Sequence, residues 1–191
     1  MSKKQSQNSK IDQISQLQKD LARKFKGKTL VFGEGKPSSS VMIVGDATNG
    51  EEEGKSKLLI GTIGKVFDQL LKEHKLKRST FYITNAVKFR PLNPVPTPKE
   101  IKQSSVFLKQ EIKIIEPKLI IALGGIALRG LGVKLPLANL RGRLVRFGDM
   151  NLFATHHPLE VVKNPDLHIE ISSDFHKLKN IVENLSVIIP S

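Results

Sequence analysis

A chain of 191 residues fits one domain with a substantial core, and its 31 Lys and Arg outnumber 18 Asp and Glu. The resulting formal charge of +13 suits a partner that carries phosphate. The chain has no cysteine, which excludes disulfides, thiolate nucleophiles, Cys-held zinc and thiolate-held iron–sulphur clusters.

Residues 1–10 are polar and read as a flexible N-terminal tail ahead of a single domain over 11–186, with no secretion-signal pattern. No apolar run reaches the ~20 residues of a membrane span, so a soluble, intracellular protein that touches no membrane is expected. Ile11, Ile14, Leu17, Leu21 and Phe25 recur at helical spacing and predict an amphipathic helix. Val41–Gly45 reads as a buried strand, and Ile60, Ile63, Phe67, Leu70 and Leu71 restore helical periodicity over 58–74. A second strand, Phe81–Thr84, runs into the proline-rich loop Arg90–Pro98. There Thr97-Pro98-Lys99-Glu100 has the form of a helix cap with proline in the first turn, and Pro117 stops that helix. Lys118–Leu123 is a third strand and Gly124–Leu131 a short helix; Arg141–Phe147 with Leu152–Thr155 closes the sheet before a last helix over 169–183. Strands alternating with helices predict an α/β fold: a three-layer α/β/α sandwich on a central, mainly parallel, four-stranded sheet.

Three strand-like runs end in polar side chains: Val44-Gly45-Asp46, Thr84-Asn85 and Thr155-His156-His157-Pro158. Ligands of open α/β sheets bind at the carboxyl ends of strands, so a carboxylate, an amide and an imidazole are expected to share a crevice. An amide that donates and accepts can read a nucleobase edge, and a histidine can steady a leaving anion. The stretch Asn49–Ser56 invites a phosphate-loop, nucleotidase reading, but Asn49 stands where glycine is needed and Glu51, Glu52 and Glu53 would repel a triphosphate.

In order along the chain stand Phe32-Gly33-Glu34-Gly35, Val44-Gly45-Asp46 with an acidic loop, Gly61, Tyr82-Ile83-Thr84-Asn85-Ala86-Val87-Lys88-Phe89-Arg90-Pro91, Glu116-Pro117-Lys118, Leu123-Gly124, Arg141-Gly142-Arg143, His157-Pro158 and Asn164-Pro165. This series resembles the family 4 uracil-DNA glycosylases from about Gln18 to Lys179, with near-matching spacings. The resemblance implies a monomeric enzyme that flips uracil out of DNA and hydrolyses its N-glycosidic bond, leaving an abasic site for base excision repair. It implies His157 as donor to the uracil oxygen, Asn85 as reader of O4 and N3–H, and Asp46 or Glu52 as holder of the attacking water or balance to the sugar charge. Gly45, Ala47, Leu59 and Asn93 fall at substrate-binding places, with Leu59 where a stacking phenylalanine is usual. Lys88, Arg90, Arg141 and Arg143 are expected on DNA phosphate, Leu159 is the wedge, and His156 is a bystander.

That family normally holds a four-iron cluster on four cysteines. The matching places fall near Gln18 and Leu21, at Phe89 and near Ser104, so no metal or other cofactor is expected and apolar packing by Leu21 and Phe89 replaces the staple. The first motif, Gly45-Asp46-Ala47-Thr48-Asn49, also departs from the usual turn. Two related outcomes follow from these departures: a glycosylase-like domain that binds DNA with weak or no cleavage, or a glycosylase for another deaminated base such as hypoxanthine.

Overall fold

The computed structural model describes residues 3–185. In chain order, α1 (Lys3–Lys24) leads to β1 (Val41–Ala47), α2 (Gly50–Lys55), α3 (Gly61–Glu73) and β2 (Phe81–Val87). Then follow α4 (Pro98–Ile115), β3 (Leu119–Leu123), α5 (Gly125–Leu131), α6 (Leu137–Leu140), β4 (Leu144–Phe147), β5 (Met150–Thr155), α7 (Pro158–Lys163) and α8 (Leu167–Glu183). Helix α1 begins at Lys3, so helical backbone extends through most of the segment that its polarity marked as a tail.

The sheet has five strands in the order β2-β1-β3-β5-β4, one more than expected. The first four are parallel, and β4 pairs antiparallel with β5 at the edge, Phe147 opposite Met150. The sequence ran these two edge segments together because a tight reversal at Gly148 joins them.

Alternation along the strands sorts the core into two faces. Val41, Ile43, Phe81, Ile83 and Phe153 pack with Phe67 of α3 and Phe175 of α8, whose rings meet edge-on with centroids 6.3 Å apart. Met42, Val44, Tyr82, Ile120 and Leu152 turn to the other face, against Leu108 of α4 and Leu128 of α5. Because both faces are covered, the strands read as unbroken apolar runs. Helix α4 starts as expected: Thr97 accepts from the Glu100 N–H and the Glu100 carboxylate accepts from the Thr97 N–H, with Pro98 at the first turn.

A third apolar cluster joins α1 to the sheet end and α4. Leu17, Leu21 and Phe25 pack with Val87, Phe89 and Ile101, and the Phe25 and Phe89 rings lie 5.0 Å apart. An amide, two apolar side chains and a hydroxyl at Gln18, Leu21, Phe89 and Ser104 cannot ligate iron, so a four-iron cluster does not fit this chain. Leu21 and Phe89 are both in the apolar cluster, while Ser104 Oγ is buried with no hydrogen-bond partner among the described residues. A buried, unpaired hydroxyl costs about 1–3 kcal/mol. Ser104→Ala is therefore expected to leave the melting temperature unchanged or raise it, whereas Leu21→Ala loses about 2–5 kcal/mol in denaturant unfolding.

Candidate active site

The direction of winding reverses between β1 and β3: the chain leaves β1 to one side for β2, crosses back over β1 to β3, and continues from there to the other side. The crevice beyond the carboxyl ends of β1 and β3 is therefore the switch point at which ligands enter such sheets. A cavity of about 360 Å³ opens there, lined by Asp46, Ala47, Arg90, Asn93, His157 and Leu159 among others. These six were all predicted from sequence.

Asp46 leaves the end of β1 toward the first turn of α5, where its Oδ1 accepts the Ala127 N–H at 2.8 Å. Gly124 makes room for this approach. It lies at φ 93°, and a Cβ there would stand 2.6 Å from the Asp46 carboxylate. Burial pushes the Asp46 carboxyl up to about 7, opposed by the Ala127 and Ile126 N–H groups and reinforced by the Glu160 charge. Asp46 thus changes charge near neutrality.

His157 closes β5 and caps α7. Its Nδ1 accepts the Leu159 N–H at 3.1 Å, so in the neutral ring the proton sits on Nε2. Burial lowers its pKa to about 4, which keeps the imidazole neutral over the working range. Nε2 faces Gly45: a Cβ at that position would stand 3.7 Å from it and collide with Asn85 Oδ1. The absence of a side chain at Gly45 is what lets the amide and the imidazole face one another over β1.

Asn85 itself is buried at the end of β2, beside the register partner Gly45. Its Nδ2 donates to Glu52 Oε2 at 3.1 Å. A carboxylate only accepts, so this bond fixes which way the amide points, with Oδ1 toward Gly45. Glu52 is fully engaged: Oε1 accepts the Leu59 N–H at 2.6 Å, and Oε2 also accepts the Asn49 N–H at 3.1 Å. Burial raises its pKa, opposed by the Leu59 and Asn49 N–H groups and the Asn85 amide. The acidic stretch after β1 is helix α2, capped reciprocally by Asn49 and Glu52. Its geometry is a helix cap, and the phosphate-loop reading has no cradle to rest on.

Several predicted positions are corrected. Leu59 is 1 % exposed and packs in the core beside α3. Its backbone turns left-handed, φ 46°, to give its N–H to Glu52, which keeps the side chain out of the cavity. Apolar wall is supplied instead by Ile63 and Ile126, in the first turns of α3 and α5; the only sequence signal for them was the glycine that opens each helix. Lys88 is 2 % exposed and faces inward, 2.7 Å from Glu111 of α4. It also donates to Thr84 Oγ1 and the Asn85 carbonyl, so it braces β2 from beneath instead of meeting solvent phosphate. Arg141 is held by Asp174 and Glu170 of α8, each at 3.1 Å, and Asp174 also accepts the Thr155 hydroxyl. Arg143 and Arg90 remain exposed. His156 lies within hydrogen-bond distance of Glu160 and Glu170.

Among the described residues no helix is long and apolar enough to cross a membrane. The chain is 32% identical to a type-4 uracil-DNA glycosylase of Sulfurisphaera tokodaii, over 79% of this chain and 74% of that one. It is also 32% identical to a type-4 enzyme of Thermotoga maritima, over 81% and 83% of the two chains. A third, from Saccharolobus solfataricus, is 30% identical over 91% of this chain and 85% of its own. The sequence profile of the uracil DNA glycosylase superfamily matches residues 32–185, a span that holds all five strands and both facing polar side chains. Asp46 and His157 line one cavity at the switch point, the buried Asn85 amide faces that imidazole across Gly45, and the chain belongs to the uracil DNA glycosylase superfamily.

Proposed function

We propose that this protein hydrolyses the N-glycosidic bond of uracil in DNA and leaves an abasic site. The observation that supports this best is the pairing of an oriented Asn85 amide with a neutral His157 Nε2–H across Gly45. A flipped uracil presents N3–H as donor and O4 as acceptor. Asn85 Oδ1 accepts the former, and the Nδ2 hydrogen not given to Glu52 serves the latter. Cytosine reverses both polarities, leaving buried groups unpaired. As the bond from the sugar C1′ to N1 breaks, its electron pair passes to the base and accumulates on the oxygens. His157 donates to that growing charge from a ring that carries none itself. Water adds to C1′ and gives up a proton to Asp46, one of the residues that line the cavity; Glu52, occupied on both oxygens, acts by positioning Asn85. Arg90 at the cavity rim and exposed Arg143 take backbone phosphate, within a field set by the +13 charge.

An oligonucleotide series carrying uracil, hypoxanthine or mismatched thymine tests the reading. Free uracil and alkali-labile sites at uracil are expected; tight binding with no cleavage at enzyme excess removes the hydrolase, and hypoxanthine release alone replaces uracil as substrate. The pH profile adds a second readout. Because the carboxylate is the active form, kcat/KM should rise through about pH 7, and that limb should vanish in Asp46→Asn. The same raised pKa has a signature in stability. The folded chain holds this proton more tightly than the unfolded one, so Asp46's contribution is complete below about 3.8 and lost as pH climbs to about 7. The asparagine variant should therefore gain in melting temperature over the parent at pH 8 relative to pH 5.

A further inference from the structure

Arg78 opens the single turn that precedes β2 and is not among the residues that line the catalytic cavity. Its guanidinium lies 5.5 Å over the Phe67 ring of α3. It donates to four groups: the Leu58 carbonyl at 2.6 Å, the Leu59 carbonyl at 3.2 Å, Glu34 at 2.9 Å and Asp68 at 3.2 Å. The two carboxylates are open to solvent, and ion pairs of that kind contribute little. The two carbonyls are a different matter, because they belong to a buried stretch of backbone.

The Leu58 carbonyl and the Leu59 N–H are the two ends of one trans peptide, so they point in opposite directions. Arg78 takes the oxygen, and Glu52 Oε1 accepts the N–H at 2.6 Å. A cation at one end and a carboxylate at the other polarise the peptide in the same sense, which strengthens both bonds. Leu59 sits at φ 46°, a strained conformation for a leucine that persists only where its surroundings enforce it. Arg78 grips the carbonyls on both sides of that Cα, which fixes φ and ψ together. Through its other oxygen, Glu52 holds Asn85 Nδ2 at 3.1 Å. Guanidinium, peptide, carboxylate and amide therefore form one connected path into the site.

Resting on the glycosylase reading above, we propose that Arg78 is a positioning residue for base recognition: through the Leu58–Leu59 peptide and Glu52 it locks the Asn85 amide in the orientation that accepts from uracil N3–H and donates to O4. Turned the other way, the same amide donates to N3 of cytosine and accepts from its amino group. An amide free to turn thus loses its preference for uracil. The effect is on orientation alone, so affinity for DNA that lacks a base at the site is untouched.

The experiment measures single-turnover uracil excision, and binding to duplex DNA with a tetrahydrofuran abasic analogue, for the wild type, Arg78→Met, Arg78→Lys and Asp68→Asn. Methionine should cost about 10- to 100-fold in excision, the scale of a remote misplacement of about 1 Å, with binding held within about twofold. Lysine keeps the charge but cannot fork to both carbonyls, so it should fall between methionine and wild type. Asp68→Asn removes only an ion-pair partner and should stay within about twofold of wild type. Because the path runs through Glu52, Arg78→Met in a Glu52→Gln background should cost no more than about twofold further. Additive losses, a methionine rate equal to wild type, or a binding loss as large as the rate loss each overturn the proposal. If the methionine variant does not fold, lysine in the same two backgrounds makes the same comparison. A second arm needs no chemistry. The Asn85 side-chain amide protons, identified by their absence from the nitrogen-15 spectrum of Asn85→Asp, should exchange slowly in the wild type and quickly in Arg78→Met. Equal protection in the two, or fast exchange already in the wild type, overturns the proposal. Failure of the wild type to release uracil refutes the glycosylase reading, while the exchange arm still decides whether Arg78 holds Asn85.

Discussion

Replacing His157 by alanine is expected to slow single-turnover uracil excision by about 10²–10³-fold, the usual loss when one preorganised donor to a developing anion is removed. DNA affinity should change little, because the donor acts on charge that exists only as the glycosidic bond breaks. The magnitude follows from how the ring is fixed. The Leu159 N–H occupies Nδ1, so Nε2–H is the sole donor and needs no reorganisation during reaction. Burial holds the ring neutral down to about pH 4, so the imidazole does not titrate across the neutral range. The acidic limb near pH 7 in the rate profile therefore belongs to Asp46 and should survive in His157→Ala at a lower plateau. A loss of affinity as large as the loss of rate would instead assign His157 to holding DNA. Asparagine at 157 is a useful control: it retains a donor of shorter reach and should fall between the two.

What the sequence revealed about the fold depended on whether the information was local. Val41–Val44 and Phe81–Thr84 were legible because a strand covered on both faces is a continuous apolar run, and α4 because Thr97, Pro98 and Glu100 spell its cap. Asn85, Asp46 and His157 were legible as polar residues closing such runs, which is where a parallel sheet builds its sites. Long-range pairing was not visible. Lys88 looked like surface charge, since nothing near it announces that Glu111, 23 residues on, waits beneath β2. Arg141 found Asp174 in the same way, 33 residues away. Leu59 was misplaced because nothing local announces the left-handed turn at which its side chain enters the core. Glu52 was recognised as part of the site, yet its role as orienter of the Asn85 amide depends on three accepted hydrogen bonds that no spacing rule foretells.

That orienting contact makes Asn85→Asp the most severe single change expected in this site. Exchanging the amide for a carboxyl removes the donor to uracil O4 and sets two carboxyl groups together where Asn85 Nδ2 now lies 3.1 Å from Glu52 Oε2. Both groups are buried, so they cannot ionise together and must share one proton near neutrality. With that proton held between them, the oxygen facing the base can only accept. It repels uracil O4 and welcomes the amino group of cytosine. A site built to pair a substrate polar group rejects the wrong partner by about 10⁴–10⁵-fold, which sets the expected loss of uracil excision, accompanied by measurable cytosine release. Stability carries an independent mark. The shared proton is bound more tightly in the folded chain than in the unfolded one, so the variant should lose melting temperature relative to wild type as pH rises from 5 to 9. Adding Glu52→Gln removes the like-charge repulsion and should flatten that pH dependence without restoring uracil excision. If Asn85→Asp alone excises uracil at the parental rate, the amide does not read the base, and recognition must reside in the backbone and the Ile63 and Ile126 walls of the cavity.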